Sequence, residues 1–416
     1  MSDAPLVART RPLDAGSLPD LLRVAGDDGT LFARDASGFA GHGVAARTAR
    51  STVMATLAAV ERDDPLRHPG TGPLAFGALP FAPGGEAELV IPRLVVGIAP
   101  GPRGERTAWV TTVGPADDRD LHDPEAALVA VLDRPGRPSP AQGPSAFEVR
   151  SARPPAAWQR AVATATARIR AGELDKVVLA REVEVVADAD LSVSTVLVRL
   201  AQQYPGCYLY LVDGFCGASP ELLVGRSDDV VRAQPLAGTK PRRGGPDDDA
   251  LVAAELLASP TYRHEHQVTI DAVHDTLLSF SSYVDYEPEP SVIPLANVLH
   301  LGTWVEGRLS HPPASILELV DALHPTPAVC GRPREAALAL IAELEELDRG
   351  RYAGAVGWID AEGNGDFAVS IRGAEIHGRT ARIIAGNGIV GESDPPTELI
   401  ETRAKLQAML SAIVRP

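Results

Sequence analysis

The sequence predicts a mixed α/β chain of the α+β type, a large antiparallel sheet covered by helices, and three observations predict it. Hydrophobic residues make up 45% of 416 residues, enough for an extended core, yet no run approaches the roughly 18 apolar residues of a membrane span. Short apolar segments such as AVGWI (355–359), FAVSI (367–371) and RIIAG (382–386) follow one another across tight turns. That is the pattern of hairpins and not of repeated βαβ units. Between such segments lie amphipathic windows with helix stop signals.

Taken in order, Leu31–Arg34 reads as a strand, Val44–Asp63 as a helix, and Leu74–Phe81, Leu89–Ile98 and Thr107–Val113 as strands. Pro and Gly are densest at Arg134–Ser145, which predicts a surface loop or linker. Trp158–Ala171 is a helix ended by Gly172, a natural C-terminal stop. The β-branched Lys176–Val186 run follows as a strand, then a helix at Val193–Gln203, a strand at Cys207–Val212 and strand segments within Leu222–Arg232. Asp247–Leu257 and Tyr262–Tyr283 are helical, Val298–Leu309 a strand, and Ala314–Leu323 and Pro333–Leu347 helices, the last with an apolar core stripe. Ala353–Ile389 holds at least three strands and Pro395–Ile413 the final helix.

At about 100–200 residues per domain the length allows two or three domains or one large unit. The formal charge of −16 argues against a nucleic-acid binder, which needs a clustered basic surface. It also means that an anionic substrate would need local cations or a metal. Cys207, Cys216 and Cys330 form no CxxC and read as buried thiols in a reducing compartment. The N-terminal residues carry no apolar secretory run, so a cytoplasmic protein is expected, without membrane association. Of 39 basic residues only Lys176, Lys240 and Lys405 are lysine, the one basic type of the two that can release its proton when its surroundings demand it.

Several motif-like stretches fail. His264–Glu265–His266 lacks the second histidine of HExxH, because position 268 is valine. DAEGNGD (360–366) puts Ile371 where a calcium loop needs glutamate, and reads as a turn between strands. GASPE (217–221) lacks the second glycine of a nucleophile elbow, and GNG (386–388) is no dinucleotide fingerprint. Glu398, Glu401 and Lys405 share one face of the last helix. An ordinary helix would carry them too, since acidic residues suit its first turn and Glu401 and Lys405 form an i,i+4 pair. Carboxylates from two helices, Glu265 on one and Glu398 and Glu401 on the other, could instead hold one hard cation such as Mg²⁺.

DKVVLARE (175–182), GASPELLVGR (217–226), PLAGTKPR (235–242), RHEHQV (263–268), HLGTWVEG (300–307), HPTPAVCG (324–331), YAGAVGWIDAEGNGDFAVSIR (352–372), AGNGIV (385–390) and ELIETRAKL (398–406) occur in this order. Together they resemble the chorismate-utilising enzymes, and within them the isochorismate synthase branch. The resemblance covers 155–412 as the catalytic region; residues 1–150 resemble the family only in length and coarse pattern and are expected to belong to the same α/β unit. It implies two layered antiparallel sheets flanked by helices with a deep active site, chorismate as substrate, Mg²⁺ as cofactor, and a monomer or homodimer. The reaction implied is reversible: water attacks C2 of chorismate, the double bonds shift, and the C4 hydroxyl leaves.

By that resemblance Lys176 is the base and Glu221 the acid. A lysine must be neutral to accept a proton and a glutamic acid protonated to donate one, so burial and nearby cations should tune Lys176, and desolvation Glu221. Glu265, Glu398 and Glu401 match the metal carboxylates, His300 the histidine beside the leaving hydroxyl, and Gly238 and Thr239 the loop around it. Arg372, the Gly388 N–H and Lys405 match contacts to the substrate carboxylates, where a guanidinium can bind bidentately. No role falls to Lys240, and His324 reads equally as structural or as a contact. A lysine at 176 favours the hydroxyl-adding branch over ammonia-adding relatives. Ala328 and Ile371 match isochorismate synthase, whereas Tyr352 matches salicylate synthase, in which pyruvate elimination follows. A third reading, a catalytically silent assembly subunit, would require an incomplete Lys/Glu pair, and both members are present.

Overall fold

Side-chain alternation along single strands sets the layers of the computed structural model, which describes residues 5–14, 16, 18–101, 105–134 and 143–414. In the Thr30–Arg34 strand, Leu31 and Ala33 join a core formed with helices, while Phe32 joins an aromatic core on the other face, as the two-residue period of a strand requires. Among the described residues, thirteen strands form one sheet, nine a second and three a third. Pairing is antiparallel throughout the two larger sheets except between Leu6–Leu13 and Glu61–Asp63. The two large sheets face each other through Phe32, Phe39, Trp109 and Tyr210 on one side and Phe76, Leu222 and Trp358 on the other. Phe39 and Trp358 lie 4.4 Å apart between ring centroids.

Helices cover the outer faces. Leu21–Ala25, Val193–Gln203 and Pro395–Val414 pack Val24, Leu197, Leu200, Met409 and Ile413 on the thirteen-stranded sheet. Ile316–Leu323, with a complete Ser315/Glu318 capping box, packs Ile316, Leu319 and Val320 against Val224 and Phe367 of the nine-stranded sheet. Strands of the N-terminal third enter both sheets: Thr30–Arg34 pairs with Tyr208–Val212, and Leu74–Leu79 with Ala355–Asp360. No helix among the described residues is long and apolar enough to cross a membrane. All three cysteines are buried and free.

Four expectations are corrected. Val44–Asp63 is not one helix: Ala46–Ala49 pairs as a strand with Glu88–Ile91, and only Val53–Ala58 is α-helical before the Glu61–Asp63 strand. Thr48 bonds the hydroxyls of Thr52 and Thr56, local side-chain bonding that competes with a helix. Leu89–Ile98 is two strands, split at Pro92, which has no N–H for a ladder; Glu88–Ile91 lies in one sheet and Leu94–Pro100 in the other. The helix from Pro260 stops at Leu278, and Ser281–Tyr286 is a strand. Val298–Leu309 also divides, into Val298–Gly302 of the small sheet and Val305–Leu309 of the nine-stranded one. Strands at Leu6–Leu13, Ser37–His42, Phe147–Ser151 and Leu236–Pro241 were not anticipated. Most of the Arg134–Ser145 segment lies outside the described residues. The DAEGNGD stretch is a turn, its Asp360 carboxylate accepting from the N–H groups of Gly70, Glu362 and Asn364.

The aromatic layer yields a stability prediction. Phe76 is fully buried there, so Phe76→Ala should lower unfolding free energy by about 3–5 kcal/mol, measured by urea denaturation.

Candidate active site

A cavity of about 910 Å³ opens between the end of the Lys176–Ala187 strand, the small sheet and the Pro260–Leu278 and Pro395–Val414 helices. The fourteen residues given site roles in the sequence all lie on its wall: Lys176, Glu221, Gly238, Thr239, Glu265, His300, Ala328, Tyr352, Ile371, Arg372, Gly388, Glu398, Glu401 and Lys405.

Lys176 is the first residue of its strand, which pairs in register with Thr380–Ile389 so that Val178 faces Gly388. A Cβ on Gly388 would lie 2.5 Å from the Lys176 Cε; glycine is what lets the lysine lie along the neighbouring backbone. Lys176 Nζ donates to Glu265 Oε1 at 2.6 Å. Its direct partner is thus a carboxylate, while Arg332, its cross-strand neighbour, also lines the cavity.

Glu221 immediately precedes the Leu222–Ser227 strand and is buried. Its N–H donates to Ser219 Oγ at 3.3 Å, and that hydroxyl donates to the Val369 carbonyl at 2.6 Å, which fixes the turn. Burial pushes the Glu221 carboxyl up to about 8, against smaller opposing contributions from the Leu236 backbone and the Lys176 charge. At neutral pH it carries its proton, as desolvation of a carboxyl requires.

The small sheet supplies the next wall. Thr239 and His300 are cross-strand partners, with Thr239 Oγ1 2.9 Å from His300 Nδ1. Gly238 adopts φ +75°, a left-handed conformation that glycine takes without strain. Burial, helped by the charges of Arg372 and Lys405, lowers His300 to about 3. Its ring is therefore neutral, and its Nε2 is buried without a hydrogen-bond partner among the described residues.

Arg372 is a non-glycine residue at φ +55°. The backbone on either side is pinned, Tyr210 Oη donating to the Ile371 carbonyl and Ala218 N to the Arg372 carbonyl, each at 3.1 Å. Ion pairs of this chain leave Arg372 without a carboxylate partner among the described residues. Lys405 differs. Its Nζ donates to Gly386 O at 3.1 Å, Asn387 Oδ1 at 2.8 Å and Glu401 Oε1 at 2.7 Å, so all three donors have acceptors.

Glu398 accepts from Asn387 Nδ2 at 2.9 Å and from Ser393 Oγ at 2.7 Å. Burial raises its carboxyl, and the neighbouring Glu401 charge adds to the rise. No three acidic, histidine or cysteine side chains among the described residues form a ready coordination cluster. The three carboxylates reach the cavity separately, Glu265 and Glu401 each turned onto a lysine. As a donor set they nevertheless suit a hard divalent cation: oxygen ligands only, with like charges that a cation would relieve.

Some candidates fall outside the cavity. Lys240 pairs with Glu255 at 2.8 Å. His324 donates to or accepts from nothing in the cavity; its Nε2 lies 3.0 Å from the Phe81 carbonyl, which makes it structural. Asn387 went unnoticed in the sequence, although it joins Glu398 to Lys405; a polar residue between two glycines within an apolar strand was its only signal.

Residues 38–414 match the family model for chorismate binding enzymes. The chain is 34% identical over 369 residues to isochorismate synthase MenF of Bacillus subtilis, covering 85% of this chain and 77% of that protein. It is 35% identical over 353 residues to isochorismate synthase DhbC of the same organism, covering 82% and 81%. Among solved structures, MenF of Escherichia coli, a menaquinone-specific isochorismate synthase, shares the fold with a TM-score of 0.82 at 24% identity, over 98% of this chain and 95% of that one.

The buried acid carries a pH signature. Between about pH 4.5 and 8 the folded chain holds a proton on Glu221 that the unfolded chain has lost. Its contribution to stability is thus complete at the acid side of this window and disappears as pH rises through it. Glu221→Gln, which cannot ionise, should therefore gain thermal stability relative to the native chain as pH rises from 5 to 8. Melting temperatures of both proteins across that range check this.

Proposed function

The chain belongs to the chorismate-binding enzymes, and from that premise we propose that it converts chorismate to isochorismate, with Mg²⁺ as cofactor. The observation that carries the reading is one cavity holding a lysine and a buried glutamic acid that keeps its proton at neutral pH.

Exchange of a hydroxyl between ring carbons needs two proton transfers. Lys176, as the free amine, takes a proton from the water whose oxygen bonds to C2. The ring double bonds shift, the C4–O bond breaks, and Glu221 gives its proton to the departing oxygen, so that one water enters and one leaves. Both transfers reverse in the back reaction. His300, neutral and tethered by Thr239, offers a hydrogen bond beside that oxygen and no charge of its own. A Cβ on Gly238 would lie 3.3 Å from the Tyr262 side chain, so glycine lets the loop approach the Pro260–Leu278 helix.

Arg372, with no ion-pair partner among the described residues, receives a substrate carboxylate, and the Gly388 N–H assists. Lys405 contributes positive charge to the same region, since its donors are already engaged. Glu265, Glu398 and Glu401 would hold Mg²⁺, which when bound neutralises carboxylate charge and draws an anionic substrate into a chain of net charge −16. Glu265 serves twice, since it also holds Lys176. Ala328 and Ile371 shape the apolar wall. We assign the chemistry to 155–412, with residues 1–150 completing the sheets that hold it.

Tyr352 on the wall supports a second reading, salicylate formation by subsequent loss of pyruvate. Incubation with chorismate and Mg²⁺ should yield isochorismate with little pyruvate; stoichiometric pyruvate and salicylate would establish the second reading instead. Lys176→Ala should lower kcat by about 10²–10⁴-fold, while chorismate still binds by calorimetry, because the base acts in the transition state. Glu401→Ala should raise the Mg²⁺ concentration needed for half-maximal rate; an unchanged Mg²⁺ response would remove Glu401 from the metal site.

A further inference from the structure

The strand that begins at Lys176 has one continuous edge and one assembled from pieces. Along the first, Val177–Val186 pairs without interruption with Thr380–Ile389. Along the second, Gly331–Arg332 pairs with Lys176 and Val177, and Val178 N donates to Cys330 O at 2.8 Å. At the far end Phe147–Ser151 pairs with Val183–Ala187, and Ala152 N donates to Glu182 O. Between these pieces the Val178 carbonyl and the Ala180 N–H face the same edge with no backbone partner. Buried backbone groups in that position require one.

Two charged side chains supply it. Arg349 Nη2 donates to Val178 O at 2.8 Å, and Glu345 Oε1 accepts from Ala180 N at 2.7 Å. They bond each other, Arg349 Nε to Glu345 Oε2 at 2.8 Å, and their side chains are 3% and 1% exposed. Arg349 Nη1 also donates to Val329 O at 2.9 Å. The guanidinium lies 4.1 Å over the Phe81 ring and 5.9 Å from that of Tyr352. Val178, Val329 and Tyr352 all line the cavity, whereas Glu345 and Arg349 do not.

We propose that the Glu345–Arg349 pair is a positioning device for the reaction: it stands in for a missing stretch of strand and holds the Lys176 strand, the Ala328–Val329 wall and Tyr352 in fixed relation. The inference rests on the assignment of Lys176 as the base. A buried ion pair is weak support for stability, because desolvation offsets its attraction, and apolar replacements of similar size are often tolerated. What apolar residues cannot do is complete the hydrogen bonds of two strand groups and a loop carbonyl at once.

The test is the double variant Glu345→Leu/Arg349→Met, which keeps the volume and leaves no unpaired charge, alongside Arg349→Lys. With kinetics normalised to folded protein, the double variant should lose about 10- to 100-fold in kcat, the scale of a 1 Å misplacement, with KM for chorismate changed less than about 3-fold on the same argument. Arg349→Lys keeps the charge but cannot span Val178 O and Val329 O, so its kcat should fall between the two. A lowered melting temperature with native kcat in the double variant, or full kcat in Arg349→Lys, would overturn the proposal. Crystal structures of the variants decide the geometry independently of turnover. The 2.6 Å contact between Lys176 and Glu265 should be lost or lengthened, and its retention in the double variant would overturn the proposal. Absence of isochorismate from the native enzyme would instead count against the assigned reaction, and leaves the structural measurement decisive for the positioning role.

Discussion

Everything at the site depends on the antiparallel pairing of Val177–Val186 with Thr380–Ile389. A shift of one residue in that ladder would turn every side chain on both strands to the opposite face. In the register observed, Lys176 lies against Gly388, and the Asn387 side chain reaches the last helix, where it meets Glu398 and Lys405. The lysine proposed as base, the Gly388 backbone and the contacts of Asn387 to Glu398 and Lys405 are thus placed by one set of main-chain hydrogen bonds. Ten consecutive residue pairs with Ile383, Ile384 and Ile389 buried beside Val177, Leu179, Val183 and Val185 make that register hard to slip.

Burial then decides the charge state of what the ladder places. Desolvation acts on Glu221 and His300 in opposite senses of proton affinity but to the same end: each is driven to its neutral form. In the roles proposed for them, Glu221 thereby keeps a proton to give and His300 a hydrogen bond to offer without adding charge. The lysines and carboxylates of the wall stand in hydrogen-bonded pairs, Lys176 with Glu265 and Lys405 with Glu401. Arg372 stands apart from those pairs, and its strained backbone is held by hydrogen bonds from two other strands. Strain that the surroundings over-determine is what a preorganised anion site would be expected to carry.

Much of this was legible in the sequence because apolar alternation reports strands directly. The Lys176–Val186 strand, the Val193–Gln203 helix and the apolar segments at 355–359 and 367–371 appear within a few residues of their predicted limits. The failures have physical causes. Threonines at 48, 52 and 56 carry a helix-like spacing but satisfy one another's hydroxyls, and neighbouring strand pairing won. Periodicity also says nothing about which sheet a strand joins, so Glu88–Ile91 and Leu94–Pro100 read as one strand although they lie in different layers. The blocks around Glu221, His300 and Arg372 were recognisable as motifs, but their convergence on one cavity came only with the fold. Glu345 and Arg349 were invisible for a different reason. EELDRG (345–350) carries no periodic or motif signal of burial, and only tertiary contacts turn two of its charges into a buried substitute for backbone.

The scarcity of lysine can be argued from the same contacts. Arginine carries nearly all positive charge in this chain, and all three lysines face a carboxylate. At 405 the pocket offers three acceptors around one point, Gly386 O, Asn387 Oδ1 and Glu401 Oε1. An ammonium satisfies them with its three donors, whereas a planar guanidinium with five would leave donors unpaired and push its plane into the cavity. At 176 the requirement is different in kind. Gly388 gives room for a slender chain only, and the role proposed there needs a group that can exist as a free base, which a guanidinium does not become in a protein. The two cavity lysines are therefore fixed by separate constraints, one by the count and direction of acceptors, the other by acid–base chemistry in a narrow channel. Lys240, on Glu255 and over the Tyr262 ring, meets neither constraint; an arginine there would keep both contacts.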